Sequence, residues 1–281
     1  MTPYFVYDVF TEKPFGGNQL AVIPDARTIA EEDLQKVARE FNFSETTFVY
    51  PAEDKANTAK VRIFTPTMEI PFAGHPVIGT ACALAQKGAS ENMVLELGVG
   101  PMTCKSDGKT ASFEATQPLE ILCEPDPALV ADALSINTGD LLFHAHPPVM
   151  ASLGLAFTIT EVKSRDILAR TTPDIAAIRK GNARYPSGWD FAQFVYARDG
   201  NTLYARMFAP LDNIPEDPAT GSASATTAAL LARIEDHDLD LTIHQGVEMG
   251  RPSQIMVSTS SKGITVAGQA RRVMKGYLLL G

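Results

Sequence analysis

The stretch PFAGHPVIGTACALAQ, residues 71–86, runs from a Gly-His-Pro turn straight into a segment with no polar face. From Val77 to Gln86 nearly every side chain is apolar or small, so a helix formed here needs cover on every side. A second stretch of the same design, IPEDPATGSASATTAALLA at residues 214–232, places Glu216-Asp217 where the first has Gly74-His75. The correspondence extends upstream. Arg62, Phe64, Pro66 and Pro71 recur as Arg206, Phe208, Pro210 and Pro215, each 144 positions later. After a two-residue slip, His75, Pro76, Gly79, Thr80 and Ala81 align with Asp217, Pro218, Gly221, Ser222 and Ala223, each 142 positions later. Spaced matches in one element order read as an internal duplication.

The segments around each apolar helix are short and rich in Val, Ile, Thr and Phe. Tyr4–Phe10, Leu20–Ile23, ETTFVY and AKVRIFTP read as strands in the first half. Between them Thr28 and Glu31 suggest a capping box, and Leu34, Val37, Ala38 and Phe41 repeat at helical spacing. In the second half TTPDIAAIRKGN reads as a helix capped by Thr172, with Pro173 in its first turn and Gly181 as its stop. FAQFVYARDGNTLYARMF reads as two strands joined at Asp199-Gly200-Asn201, and further strands follow at Leu241–Ile243, Gln254–Ser258 and Ile264–Ala267. These patterns predict an α+β fold of two pseudo-symmetric domains meeting face to face. Each is a curved, mostly antiparallel, barrel-like sheet wrapped around its central apolar helix. The expected domains are residues 1–117 and 118–269, with 270–281 packing back onto the first.

Composition narrows the function. The chain has 281 residues, is 45% hydrophobic, and carries 24 basic against 33 acidic residues for a net charge of -9. Nucleic-acid binding draws on clustered Lys and Arg, which this balance disfavours. No basic segment precedes an apolar core at the start, and no apolar run approaches ~18 residues, so neither a signal peptide nor a membrane span is predicted. Cys82, Cys104 and Cys123 are odd in number and form no C-x-x-C pair, which fits a reducing cytoplasm. His144 and His146 lack a third ligand at recognisable spacing, so no metal site is predicted. G-x-G-x-x-G and G-x-x-x-x-G-K-[ST] are both missing, so no nucleotide cofactor is expected.

The two special turns are where chemistry is expected. A helix N-terminus offers free N–H groups and a positive dipole end, and Gly79-Thr80 and Gly221-Ser222 are read as that anion site in each half; the alternative is that these glycines only ease packing. A pair of such sites suits a small carboxylate-bearing molecule. His75 and Asp217 hold equivalent positions and are candidates for a shared acid/base role; the alternatives are a loop histidine bonded to backbone and an ordinary N-cap aspartate. Glu45, in FNFSETTFV, is a third candidate; the alternative is a solvated charge at the end of a strand. A carboxylate desolvated among Phe41, Phe43 and Phe48 would have a raised pKa, useful for taking a proton from carbon.

Five ordered motifs, DVFTEKPFGGNQLAVI, FNFSETTFV, IPFAGHPVIGTA, PEDPATGSA and HQGVEMGRPS, resemble the phenazine-biosynthesis isomerase-like (PhzF-like) family across nearly the whole chain. The resemblance implies a diaminopimelate epimerase-like fold, commonly dimeric, and an isomerase that uses no cofactor. It implies that Glu45 moves a proton between carbons of a dihydro-hydroxyanthranilate, that His75, Asp217 and Ser222 hold and assist the substrate, and that Asn18, Gly74, Gly221 and Gln245 line the cleft. Gln19 departs from the family, which often has proline there. The epimerase and proline racemase relatives use two opposed cysteines. Here the equivalent turns hold Gly74-His75 and Glu216-Asp217, and Cys82 aligns with Ser224, which argues against two-thiol racemisation. The expected function is a cofactor-independent proton-moving isomerase. Alternatives are an epimerase using His75 and Asp217 as its pair, or a carboxylate-binding protein without chemistry.

Overall fold

In the computed structural model, which describes residues 1–188 and 190–280, the alternating segments form strands and each apolar segment forms a helix that the strands enclose. The chain divides into two compact units, Met1–Glu114 with Val266–Gly281, and Ala115–Thr265. The first contains β1 (Thr2–Val9), β2 (Asn18–Ile23), α1 (Glu31–Phe41), β3 (Glu45–Tyr50), β4 (Ala59–Phe64), β5 (Glu69–Ile70), α2 (Gly74–Gln86), β6 (Asn92–Leu97), β7 (Gly100–Ser106) and β8 (Thr110–Ala115). The second contains β9 (Glu120–Cys123), α3 (Pro127–Ala133), β10 (Val149–Ser152), β11 (Ala156–Glu161), α4 (Arg165–Arg170), α5 (Ile175–Arg184), β12 (Gln193–Asp199), β13 (Thr202–Ala209), β14 (Ile214–Asp217), α6 (Gly221–Glu235), β15 (Asp240–Gln245) and β16 (Ser253–Ser260). The final strand, β17 (Gly263–Leu278), pairs with β1 from Leu278 back to Ala270.

Strand pairing repeats between the units. In the first, β1–β2, β3–β4, β6–β7 and β7–β8 are antiparallel while β2–β3 and β4–β6 are parallel. Pairing of β17 with both β1 and β8 closes the barrel. In the second, β10–β11, β12–β13 and β15–β16 are antiparallel while β11–β12 and β13–β15 are parallel. A parallel pair needs a crossover. Helix α1 supplies it between β2 and β3, as α4 and α5 do between β11 and β12, and the two apolar helices supply the others. The repeated Arg-x-Phe also keeps its geometry: the guanidinium carbons of Arg62 and Arg206 stand 5.1 and 4.9 Å from the ring centres of Phe64 and Phe208.

Helix α2 is buried at every residue from Gly74 to Leu84 and packs on β1, β2, β3 and β7. Helix α6 packs on β10, β11 and β16. Helix α1 instead buries one face, Leu34, Val37 and Ala38, against Ile23, Phe48 and Phe64. Its acidic first turn, Glu31, Glu32 and Asp33, complements the helix dipole.

Two local expectations are corrected. No capping box forms at Thr28, because α1 starts after Ala30 and the Thr28 hydroxyl bonds that of Thr2 at 2.8 Å. Helix α5 is capped by Asp174, which accepts from the Ala177 N–H at 2.8 Å, and Gly181 lies inside it rather than ending it. The Phe191 ring occupies the space where a Gly181 side chain would stand. The β12–β13 hairpin turns at Gly200-Asn201, with Asp199 paired to Thr202 and Gly200 at φ 58°.

Candidate active site

In the first unit, β2, β3 and the start of α2 bring Glu45 and His75 together. Leu20 and Glu45 are register partners, so the first residue of β3 lies beside β2. His75 stands in the first turn of α2, and its Nε2 is 3.4 Å from Glu45 Oε2. Both are buried, Glu45 at 9% and His75 at 4% exposure. The His75 ring hydrogen-bonds the Gln19 backbone, while its Nε2 makes no hydrogen bond. Gln19 thus contributes through its main chain, which a proline at that position would also supply. Asn18 is buried beside this strand entry, its side-chain carbonyl accepting from the Ser44 hydroxyl at 3.3 Å.

The Glu45–His75 approach is not an ion pair at neutral pH. Burial pushes the imidazole down to about 3, against a smaller opposing effect of its bond to the Gln19 backbone. An unfolded chain protonates this histidine near its model value of 6.5, and the folded protein does not until about 3. Within that window the unfolded state binds more protons, so this group's contribution to stability is complete above the window and is lost as pH falls. Between pH 7 and pH 5 the protein is expected to lose about 2 kcal/mol more than His75→Gln does. Urea midpoints of both proteins at the two pH values check this; equal losses would mean that the ring takes up its proton without hindrance.

Phe48 does not cover Glu45. Side chains alternate along β3, and Phe48 lies on the other face, edge-on to Phe64 at 5.2 Å beneath α1. Phe41 and Phe43 meet as a tilted ring pair, their centres 5.8 Å apart.

In the second unit, Asp217 ends β14 and is 6% exposed. The Thr220 hydroxyl donates to Asp217 Oδ2 at 2.6 Å. Gln245, fully buried on β15, donates through Nε2 to the Asp217 carbonyl at 2.7 Å and to Thr220 Oγ1 at 2.9 Å, and accepts from the Thr220 N–H at 3.0 Å. Gln245 therefore holds the Asp217–Thr220 turn. Thr220 was not foreseen in the sequence. Its position just before Gly221, at the cap of α6, was the available signal.

The helix ends differ from their expected form. Gly221 and Ser222 do open α6, with Gly221 buried and Ser222 half-buried. In α2 the opening residues are Gly74 and His75, so Gly79 and Thr80 fall in the second turn. A side chain at Gly79 would meet Leu20 Cδ2 at 2.5 Å and Val9 Cγ2 at 2.9 Å, and the Thr80 hydroxyl bonds Thr47 at 2.9 Å. Both residues fasten the helix to its barrel. Neither Ala73 nor Thr220, the two cap residues, makes a side-chain capping bond, so first-turn N–H groups of both helices are left for other acceptors.

His146 is structural: one ring nitrogen faces the Pro147 carbonyl at 2.6 Å and the other the Tyr196 hydroxyl at 2.8 Å. Among the described residues no group of three His, Cys, Asp or Glu is placed to hold a metal. Cys82, Cys104 and Cys123 are free thiols, and among the described residues no helix is long and apolar enough to cross a membrane.

Residues 7–276 match the family model described as phenazine biosynthesis-like protein. The chain belongs to that family. An uncharacterized isomerase of Mesorhizobium japonicum is 35% identical over 298 residues, covering 99% of this chain and 98% of its own. A trans-2,3-dihydro-3-hydroxyanthranilate isomerase of Pseudomonas aeruginosa is 34% identical over 276 residues, covering 95% of this chain and 94% of its own. The crystal structure of a Bacillus anthracis phenazine biosynthesis protein of the PhzF family matches with a TM-score of 0.87 at 25% identity, over 99% of both chains. A hydroxyproline epimerase from Agrobacterium vitis matches with a TM-score of 0.64 at 12% identity, over 98% of this chain and 90% of its own. At that identity the likeness is one of fold, and it places this phenazine biosynthesis-like chain in the α+β, diaminopimelate epimerase-like fold expected from its sequence.

Proposed function

We propose that the protein is an isomerase that moves a proton between two carbons of a small carboxylate without a cofactor. The observation that carries this reading is the buried Glu45 carboxylate 3.4 Å from the buried, neutral His75. Glu45 takes a proton from an activated C–H bond, and the electrons of that bond form a new carbon–carbon double bond as the neighbouring one migrates. The far carbon then takes the proton back from Glu45, and the carboxylate is restored. Burial strips water from the carboxylate, which makes it a stronger base towards carbon.

His75 has a specific part in this scheme. A neutral imidazole carries one N–H. With that N–H given to the Gln19 backbone, Nε2 is a lone pair that accepts a hydrogen bond from Glu45 while Glu45 holds the proton. Asp217, fixed by Thr220, assists as acid or base. The uncapped N-termini of α2 and α6 supply N–H donors for the substrate carboxylate and for charge that develops in the transition state. The relatives' names favour trans-2,3-dihydro-3-hydroxyanthranilate as the first compound to try.

The test is proton NMR in deuterated water with this compound, alongside diaminopimelate and proline. Deuterium entering the dihydro-hydroxyanthranilate with migration of its double bond is the expected result. Deuterium at the α-carbon of an amino acid with inverted configuration would replace this reading with an epimerase. Tight binding of one compound without exchange would replace it with a binding protein.

A further inference from the structure

Arg206 on β13 is 7% exposed, and its guanidinium is shared between two neighbouring elements. Towards β14 it forms a two-point fork with Glu216, Nε to Oε1 and Nη2 to Oε2, each at 2.8 Å. In the other direction Nη1 donates to the carbonyls of Thr171 at 2.7 Å, Ala169 at 3.2 Å and Leu168 at 3.3 Å, at the end of α4. These carbonyls lie where the helix stops, and that of Leu168 also accepts from the Thr171 N–H at 3.1 Å and from the Thr171 hydroxyl at 2.8 Å. Glu216 directly precedes Asp217, and Asp217 pairs with Met207, the neighbour of Arg206. One side chain thus ties the short strand bearing Asp217 to both β13 and α4.

We propose that Arg206 is a positioning residue for Asp217, and that the planar fork rather than the charge alone does the positioning. This rests on the role given to Asp217 above. A lysine keeps the charge but offers one point, and cannot meet both Glu216 oxygens while also reaching the α4 carbonyls. The first unit repeats the fork, with Arg62 donating to Glu69 at 2.7 and 2.6 Å. There the arginine side chain is 21% exposed, and Glu69 lies well ahead of His75 in the chain. Only in the second unit does the repeated clamp adjoin a candidate site residue.

Arg206→Lys, Glu216→Gln and Asp217→Asn are compared with the parent by steady-state kinetics of the dihydro-hydroxyanthranilate reaction and by amide hydrogen exchange. Arg206→Lys is expected to lower kcat roughly 30–100-fold with KM within about 3-fold, since misplacement of about 1 Å costs that order of rate. Exchange at the Thr220 amide should rise about 10-fold more than at the Leu203 amide of the neighbouring strand. Glu216→Gln, which leaves the carbonyl bonds in place, should lose about 10-fold in kcat; it carries the same test if the lysine variant does not fold. Parental kcat and unchanged Thr220 exchange in Arg206→Lys would overturn the proposal, as would equal acceleration at Thr220 and Leu203. Parental turnover by Asp217→Asn would overturn the role of Asp217 itself, whatever Arg206 does.

Discussion

Glu45→Gln is expected to fold as the parent does and to turn over on the order of 10⁴-fold more slowly, the upper range for loss of a general base. The substitution is nearly isosteric, so β3 keeps its register with β2 at Leu20. An amide N–H at the position of Oε2 would face the open Nε2 of His75 at 3.4 Å and donate to it, which holds the side chain in place. Stability is therefore expected within about 1 kcal/mol of the parent by urea unfolding. Chemistry is another matter, because an amide does not take a proton from carbon. Retention of parental turnover by a folded Glu45→Gln protein would remove Glu45 from the reaction.

Asp217→Asn is expected to lose about 10²- to 10³-fold in kcat. The amide oxygen still accepts from the Thr220 hydroxyl, now at 2.6 Å from Oδ2, and the bond from Gln245 goes to the main chain and is untouched. The turn should keep its shape while the side chain loses its charge and its ability to exchange a proton. A kcat split from KM is the diagnostic measurement. A rise in KM with unchanged kcat would make Asp217 a binding group only.

Much of the architecture was legible because the apolar helices admit few alternatives: a helix without a polar face needs a sheet around it. The duplication was legible because Arg62 and Phe64 recur with their spacing, and that spacing keeps one geometry in both units. The convergence of Glu45 and His75 was not legible from spacing, since it depends on the parallel pairing of β2 with β3. Nor was the place of Gly79 and Thr80. Reading Gly-His-Pro as a turn put the helix start at Val77, yet α2 starts at Gly74. Proline is tolerated there because the first N–H groups of a helix have no internal partners. That early start moves Gly79 into the barrel wall and puts His75 on a helix, while its repeat equivalent Asp217 remains on a strand. The bonding of Gln245 was not legible either: the motif HQGVEMGRPS marks the position, but its bonds to Asp217 and Thr220 depend on β15 lying beside their turn.

The closing strand of the first unit has a consequence for biosynthesis. Strand β17 pairs along β1 from Leu278 to Ala270, yet it follows the whole second unit, residues 115–265, in the chain. At roughly 5–20 residues per second, on the order of 10–30 s of translation separate β8 from its partner. During that interval the nascent first unit presents β1 and β8 as open edges, which other chains can join. The unit that carries Glu45 and His75 is begun first and receives its closing strand last, after the whole second unit has been translated.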